Sequence, residues 1–174
     1  MTGARNSISS SLATWYAIRT RYRFERRVTT KLQNQGWQTF LPLFRTTHRW
    51  SDRQKRLETP LFPGYLFVRL DTSALNKKQF LKNEGIIGLI TFGGAPVPVP
   101  DRQIDDLQRL LSQNVPCALH PFLRVGHKVR IRGGCLDGLE GILEETGHKR
   151  LVISIESIQK AVALKIEGYD VQLI

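Results

Sequence analysis

The spacing of hydrophobic positions changes several times along the chain, and each change marks an element. Over residues 14–19, Trp15 and Ala17 alternate with Tyr16 and Ile18, a two-residue period that predicts a β-strand. From Tyr22 the period lengthens. Phe24, Val28 and Leu32 recur at i, i+4 and i+8 on one helical face, with Arg23, Arg26, Arg27 and Lys31 over the remainder, and Gly36 ends that helix. Residues 37–44 read as a second strand in which Pro42 requires an edge or a bulge. Residues 46–59 read as a polar hairpin turning near Ser51, Asp52 and Arg53. In residues 60–70 alternation is suspended: Leu61, Phe62, Tyr65, Leu66, Phe67, Val68 and Leu70 are too many for one buried face. Such a strand is covered on both sides or partly reserved for a partner.

Asp71 to Ser73 supply capping side chains for a short helix running to Asn83 and closed by Gly85. Residues 88–92 form a short strand, and residues 93–100, with Pro96, Pro98 and Pro100, an extended loop. Asp101 then caps a helix to Ser112 with Ile104, Leu107 and Leu111 on one side. This order predicts an α+β domain over residues 13–112, an antiparallel-rich sheet covered by helices, after a disordered lead-in of residues 1–12. Residues 113–121, with Pro116 and Pro121 and no periodicity, read as a linker. Residues 122–174 hold five short β-prone runs, at 128–132, 139–143, 151–155, 161–164 and 169–173. In so short a segment they predict a small, closed or nearly closed barrel.

Charge adds a partner class. The 174-residue chain has a net charge of +11, unevenly placed. Residues 1–116 carry 18 Lys and Arg against 8 Asp and Glu, whereas residues 117–174 carry 8 against 7. Between Arg19 and Glu58, eleven basic residues face three acids. A patch of this kind concentrates phosphate backbones without specifying sequence. Cys117 and Cys135 have neither CxxC nor disulfide-framework spacing, so no metal or other cofactor is expected. The thiols suit a reducing cytoplasm, no run is long and apolar enough to span a membrane, and a monomer is expected. His48, Asp52 and Glu58 are scattered along an arginine-rich hairpin, not clustered as a metal nuclease requires, so an enzyme is not expected.

Val125-Gly126-His127-Lys128-Val129-Arg130-Ile131, then Gly138 and Gly141, then Ile142-Leu143-Glu144-Glu145, resemble the KOW motif of SH3-like barrels, with Gly141 placed where the loop returns tightly. Trp15-Tyr16, the basic helix, Leu61-Phe62-Pro63-Gly64-Tyr65-Leu66-Phe67-Val68 and the terminal KOW module, in that order, resemble the NusG family of transcription elongation factors. The likeness covers residues 14–174. Phe40-Leu41-Pro42-Leu43, Arg49-Trp50-Ser51-Asp52-Arg53 and the phrase from Leu61 to Val68 are more similar to its specialised antiterminator branch, the RfaH and UpxY type, than to the general housekeeping factor.

The resemblance implies an NGN-like domain and an SH3-like KOW barrel. It implies a non-enzymatic factor that binds RNA polymerase across its cleft, suppresses pausing or termination at particular operons, and recruits a partner through KOW. Tyr65, Phe62, Phe67, Phe92, Ile104 and Leu107 match an apolar pocket for the polymerase clamp helices. Phe62 and Tyr65 are expected to turn outward at the Pro63-Gly64 bend, with Leu66, Val68 and Leu70 packing under helices. Asn76, Lys77, Lys78 and Gln79 match a contact with the opposite cleft wall, without the hydroxyl-rich residues of RfaH. Arg21, Arg27 and Lys31 match positions near non-template single-stranded DNA; Arg23 and Arg26 add charge there, and Tyr22 a stacking surface. The first KOW loop lacks the aromatic used to bind Rho, while Leu136, Leu139 and Ile158 could offer an apolar patch to a small-subunit ribosomal protein. Two other readings stay open: a housekeeping factor acting genome-wide, and a ribosome-associated KOW protein that binds RNA.

Overall fold

The computed structural model describes residues 13–50, 53–73, 75, 77–122, 126–145 and 148–174. The expected lead-in of residues 1–12, the hairpin turn at Ser51 and Asp52, Asn76, Val125 and the turn at Thr146 and Gly147 lie outside the described residues. In chain order come β1 (Thr14–Thr20), α1 (Glu25–Asn34), β2 (Thr39–Phe40), β3 (Leu43–Trp50), β4 (Arg53–Pro60) and β5 (Tyr65–Leu70). Then follow α2 (Lys77–Leu81), β6 (Ile86–Leu89), β7 (Thr91–Phe92), β8 (Ala95–Pro96), β9 (Pro98–Val99) and α3 (Asp101–Ser112). The last elements are β10 (Cys117–His120), β11 (His127–Arg132), β12 (Glu140–Glu144), β13 (Arg150–Ile155), β14 (Lys160–Lys165) and β15 (Asp170–Leu173). They form two compact units, the first holding the described residues through Leu41 with Pro63–Asp101, the second Pro42–Phe62 with Arg102–Ile174.

In the first unit an antiparallel sheet runs β2-β5-β1-β6, with β9 also paired to β1. Register decides which faces are buried. Leu66 lies opposite Ile18 and Val68 opposite Tyr16, so these share a face, and together with Leu70 they pack under Val28 and Leu32 of α1 and Phe80 of α2. Phe67, opposite Ala17, points to the other face, where its ring stacks on Phe40 at 6.1 Å. The doubled hydrophobicity of β5 is therefore two buried faces, as the expectation for Leu66, Val68 and Leu70 required. Each such side chain contributes about 1.5–3 kcal/mol by leaving water.

α1 ends in a Schellman motif: the Gly36 N–H donates to Gln33 O at 2.9 Å and the Trp37 N–H to Leu32 O at 3.0 Å, with Gly36 at φ +86°. Pro42 interrupts the strand expected over residues 37–44 and divides it into β2 and β3. The helix expected up to Asn83 is confined to Lys77–Leu81. Residues 93–100 are not a loop. Gly93 and Gly94, both at positive φ, close a two-residue hairpin between β7 and β8, and β9 extends the sheet along β1. The prolines misdirect here because an edge strand tolerates the missing N–H.

In the second unit β3 and β4 form a separate two-stranded ribbon from Leu43↔Pro60 to Trp50↔Arg53. The C-terminal strands form one antiparallel sheet ordered β10-β14-β13-β12-β11-β15. All five expected runs are strands, and a sixth, β10, occupies the segment read as linker, pairing Cys117 with Leu164 and His120 with Ala161. Pro116 and Pro121 bound this strand; they do not mark a tether. Gly141 lies within β12 and not at a loop. A Cβ there would sit 2.6 Å from the Val152 carbonyl oxygen and 3.0 Å from Leu151 Cγ, so close approach of β13 requires the glycine.

Candidate functional site

The cationic corner is built where β1 passes into α1. The Thr20 N–H donates to Gly64 O and the Arg21 N–H to Gly85 O, each at 2.8 Å, which ties the connection to two glycines at positive φ. Glu25, buried in the first turn of α1, accepts the Gly64 N–H at 2.7 Å. Its carboxylate there also complements the helix N-terminus. The backbone thus fixed leaves Arg21, Tyr22, Arg23, Arg26, Arg27 and Lys31 at the surface, as the sequence suggests. Tyr22 is 68% exposed, and the Arg23 guanidinium lies 5.4 Å from its ring centroid. Arg23 adopts φ +68°, uncommon for a residue with a side chain. Arg27 lies over Phe24 and pairs with Glu84 at 3.0 Å, so part of its charge is answered within the fold.

The positions matched to a clamp pocket divide sharply by burial. Phe92, at the end of β7, is 86% exposed, and Tyr65 at the start of β5 is half-buried. Phe62, expected to turn outward, is 1% exposed, and Phe67 is fully buried. The Leu61 N–H donates to Pro42 O at 2.8 Å just before the bend, so the chain holds Phe62 inward and reverses only after it. Ile104 and Leu107, one turn apart on α3 with Leu110, are also fully buried. In the described state, then, Tyr65 and Phe92 can touch a partner directly. Of the cleft-opposite segment, Lys77 begins α2, and Lys78 and Gln79 are exposed.

In the C-terminal sheet the patch expected from Leu136, Leu139 and Ile158 is not exposed: the first two are fully buried and Ile158 is 6% exposed. The loop folds inward because Asp137 Oδ1 accepts the Gly133 N–H at 2.7 Å and the Gly138 N–H donates to Ile131 O at 2.8 Å. Arg109 of α3 donates to the Asp137 carbonyl, and Arg102 pairs with Glu140, which also takes Arg130. Burial beside these groups pushes the Asp106 carboxyl up to about 6, against the opposing pull of Arg102 and Arg109. Among the described residues of this unit, the exposed large apolar ones are instead Leu119 on β10 and Leu173 and Ile174 at the other sheet edge. The position of Leu119 depends on β10 being a strand, which the flanking prolines obscure, whereas Leu173 falls in the run expected over residues 169–173.

A cleft of about 400 Å³ completes the second unit, lined by Leu43, Phe44, Arg45 and Glu58 of the ribbon, by the residues ending α3, and by Cys117. Burial raises the Cys117 thiol above its ordinary pKa. Among the described residues no cluster of His, Cys, Asp and Glu could hold a metal ion, and no helix is long and apolar enough to cross a membrane.

The chain thus combines an α+β N-terminal part, with an exposed cationic and aromatic corner, and a C-terminal all-β sheet. A family model described as transcription termination factor NusG matches residues 13–108. A transcription termination/antitermination protein NusG of Borreliella burgdorferi is 19% identical over 92% of this chain and 98% of its own length. The NusG of Thermus thermophilus is 26% identical over 78% and 84%. A solved structure, described as domain interaction in Thermotoga maritima NusG, matches with a TM-score of 0.54 at 21% identity, over 91% of this chain and 96% of that one. The chain belongs to the NusG family of transcription termination and antitermination factors.

Proposed function

We propose that this chain is a non-enzymatic elongation factor of the specialised antiterminator type. It binds RNA polymerase, contacts the displaced non-template strand, lowers pausing and termination, and engages a small-subunit ribosomal protein through its C-terminal sheet. The observation that carries the reading is the corner at residues 21–31, where exposed cations flank an exposed Tyr22 on a backbone locked by Gly64, Gly85 and Glu25. Cations track a phosphate backbone and an aromatic face stacks a base, the combination that holds single strands without demanding sequence. On the polymerase side Tyr65 and Phe92 make first contact, with Lys78 and Gln79 toward the opposite wall. Phe62, Phe67, Ile104 and Leu107 contribute only where the surface over them opens. Bridging two walls favours the closed cleft by the difference in contact energy between its states.

The test is single-round transcription with purified bacterial polymerase on a template carrying a pause and a terminator. The wild-type chain should shorten the pause and raise read-through. Arg21→Gln with Tyr22→Ala should remove most of that effect while polymerase binding persists, and Phe92→Ala with Tyr65→Ala should weaken polymerase binding itself. Full activity in both variants would sink the assignment. Genome-wide occupancy at one or a few loci, as against nearly all, separates the specialised from the housekeeping reading.

A further inference from the structure

β1 carries a charge that the fold does not neutralise. It is a central strand, lying between β5 and β6, and Arg19 is its last residue but one. Arg19 is exposed, and its side chain has no ion pair or hydrogen bond among the described residues. Other arginines of this unit are held differently: Arg27 meets Glu84 at 3.0 Å, and Arg69 meets Asp101 at 3.5 Å.

Register fixes what surrounds this cation. Residues directly opposite share a face and successive residues alternate. Ile18, opposite Leu66, packs under α1, so Arg19 stands on the other face, beside the half-buried Tyr65 of β5. On its other side Arg19 lies opposite Gly88 of β6, where a Cβ would meet nothing within 4 Å. The register slips between Arg19 and Thr20 and leaves Ile87, which is exposed, as the extra residue of a bulge. Two residues further along the same face come Ala17 and Phe67, both fully buried. Three strands spaced at about 4.8 Å thus present a row about 10 Å wide at the rim of an apolar face. The row holds an aromatic ring, a guanidinium and an open position over Gly88.

Such a row receives a surface that is anionic at one point and apolar beside it. A guanidinium holds a carboxylate through two parallel N–H···O bonds, a geometry that a lysine does not offer. Tyr65, with Ala17 and Phe67 behind it, supplies the apolar neighbour. A nucleic-acid phosphate fits this position less well. The cations Arg26, Arg27 and Lys31 stand on α1, which covers the face of the sheet opposite to Arg19.

We propose that Arg19 is a specificity-determining contact of the polymerase-binding surface, pairing with a carboxylate that the polymerase presents next to the apolar group received by Tyr65. The inference rests on the reading of Tyr65 as a polymerase contact. A docking surface without that acid is disfavoured, because Arg19 would lose water there and gain no anion.

Fluorescence anisotropy of the labelled full chain with purified bacterial RNA polymerase, and separately with single-stranded DNA, tests this. Arg19→Met keeps an unbranched stem and removes the charge, and should weaken polymerase binding about tenfold at low salt. The loss should shrink as salt rises, and single-strand affinity should stay within about twofold of wild type. Arg19→Lys restores the charge without the fork and should recover part of the loss. Arg19→Glu should bind more weakly than Arg19→Met, through like-charge repulsion. That order of affinities, Arg above Lys above Met above Glu, is one that a merely structural role would not produce. Should Arg19→Glu lose its cooperative melt, the other three chains carry the comparison. Tyr65→Ala separates this inference from the reading beneath it. Weakened polymerase binding in Tyr65→Ala with none in Arg19→Met overturns the role of Arg19 alone, and wild-type binding in Tyr65→Ala overturns the contact itself. Equal loss on polymerase and on single-stranded DNA would assign Arg19 to the nucleic-acid corner and also overturn the proposal.

Discussion

Gly85→Ala is the most informative single substitution at the corner, because the cost has two parts that a second glycine separates. Gly85 lies at φ +94°, and a Cβ there would come within 2.7 Å of Phe24 Cδ1, 2.9 Å of Val28 Cγ2 and 3.0 Å of Phe24 Cβ. Gly36 lies at nearly the same φ, +86°, with nothing within 4 Å of such a Cβ. Gly36→Ala therefore reads the left-handed backbone penalty alone, about 1–2 kcal/mol. Gly85→Ala adds overpacking against the first turns of α1, typically about 1–3 kcal/mol, for a total of about 2–5 kcal/mol. In a chain of this size that lowers Tm by roughly 5–15 °C. The same push displaces the turn that carries Tyr22 and Arg23, since Arg21 hangs from the Gly85 carbonyl. Urea unfolding followed by tryptophan fluorescence, with single-strand affinity measured under native conditions, gives both readouts. Equal destabilisation by the two substitutions would refute the steric argument, and Gly85→Ala with unchanged affinity would refute the link to the corner.

Glu25→Ala leaves the Gly64 N–H without its acceptor in a part-buried site and should cost about 1–2 kcal/mol by urea unfolding, with Glu25→Gln recovering most of it; parity with wild type would remove Glu25 from the anchor. Asp106 has its pKa pushed up to about 6 against 3.8 for the ordinary group, so the folded state holds its proton more tightly. Its effect on stability is neutral below about 4, turns unfavourable as pH rises through the window to 6, and is fully unfavourable above it. Asp106→Asn should therefore gain about 2 kcal/mol at pH 7 and little at pH 4, and a pH-independent difference in Tm would contradict this. Leu136→Ala should cost about 2–5 kcal/mol and Leu173→Ala under about 0.5 kcal/mol, the reverse of what an exposed patch at Leu136 predicts.

Where an element is specified by its own residues, the sequence reports it closely. α3 runs from Asp101 to Ser112 as its acidic first residue and 3.6-residue period require. The Schellman end of α1 at Gly36 is equally local. What the sequence hides is set by distant partners. β10 exists because Cys117 to His120 find β14 more than forty residues onward, and Pro116 and Pro121 give no hint of that ladder. β9 likewise exists through β1, more than eighty residues before it. Gly141 was legible as a required glycine but not for its reason, since only the paired strand reveals the Val152 carbonyl against it.

The candidate site divides on the same line. Exposure of Arg21, Tyr22 and Arg23 follows from a short polar connection between two locally coded elements, so charge and period suffice to place it. Burial of Phe62, Phe67, Ile104 and Leu107 depends on what covers each face, which no local pattern records. A strand greasy on both faces is compatible with a partner surface or with two internal ones. The stacking of Phe67 on Phe40, together with Leu66, Val68 and Leu70 under α1, decides for two internal faces. The proposed polymerase contact therefore has its exposed aromatic starting points at Tyr65, half-buried, and Phe92, 86% exposed. Any deeper engagement has to expose side chains whose burial contributes about 1.5–3 kcal/mol each, and so it costs stability that the complex must repay.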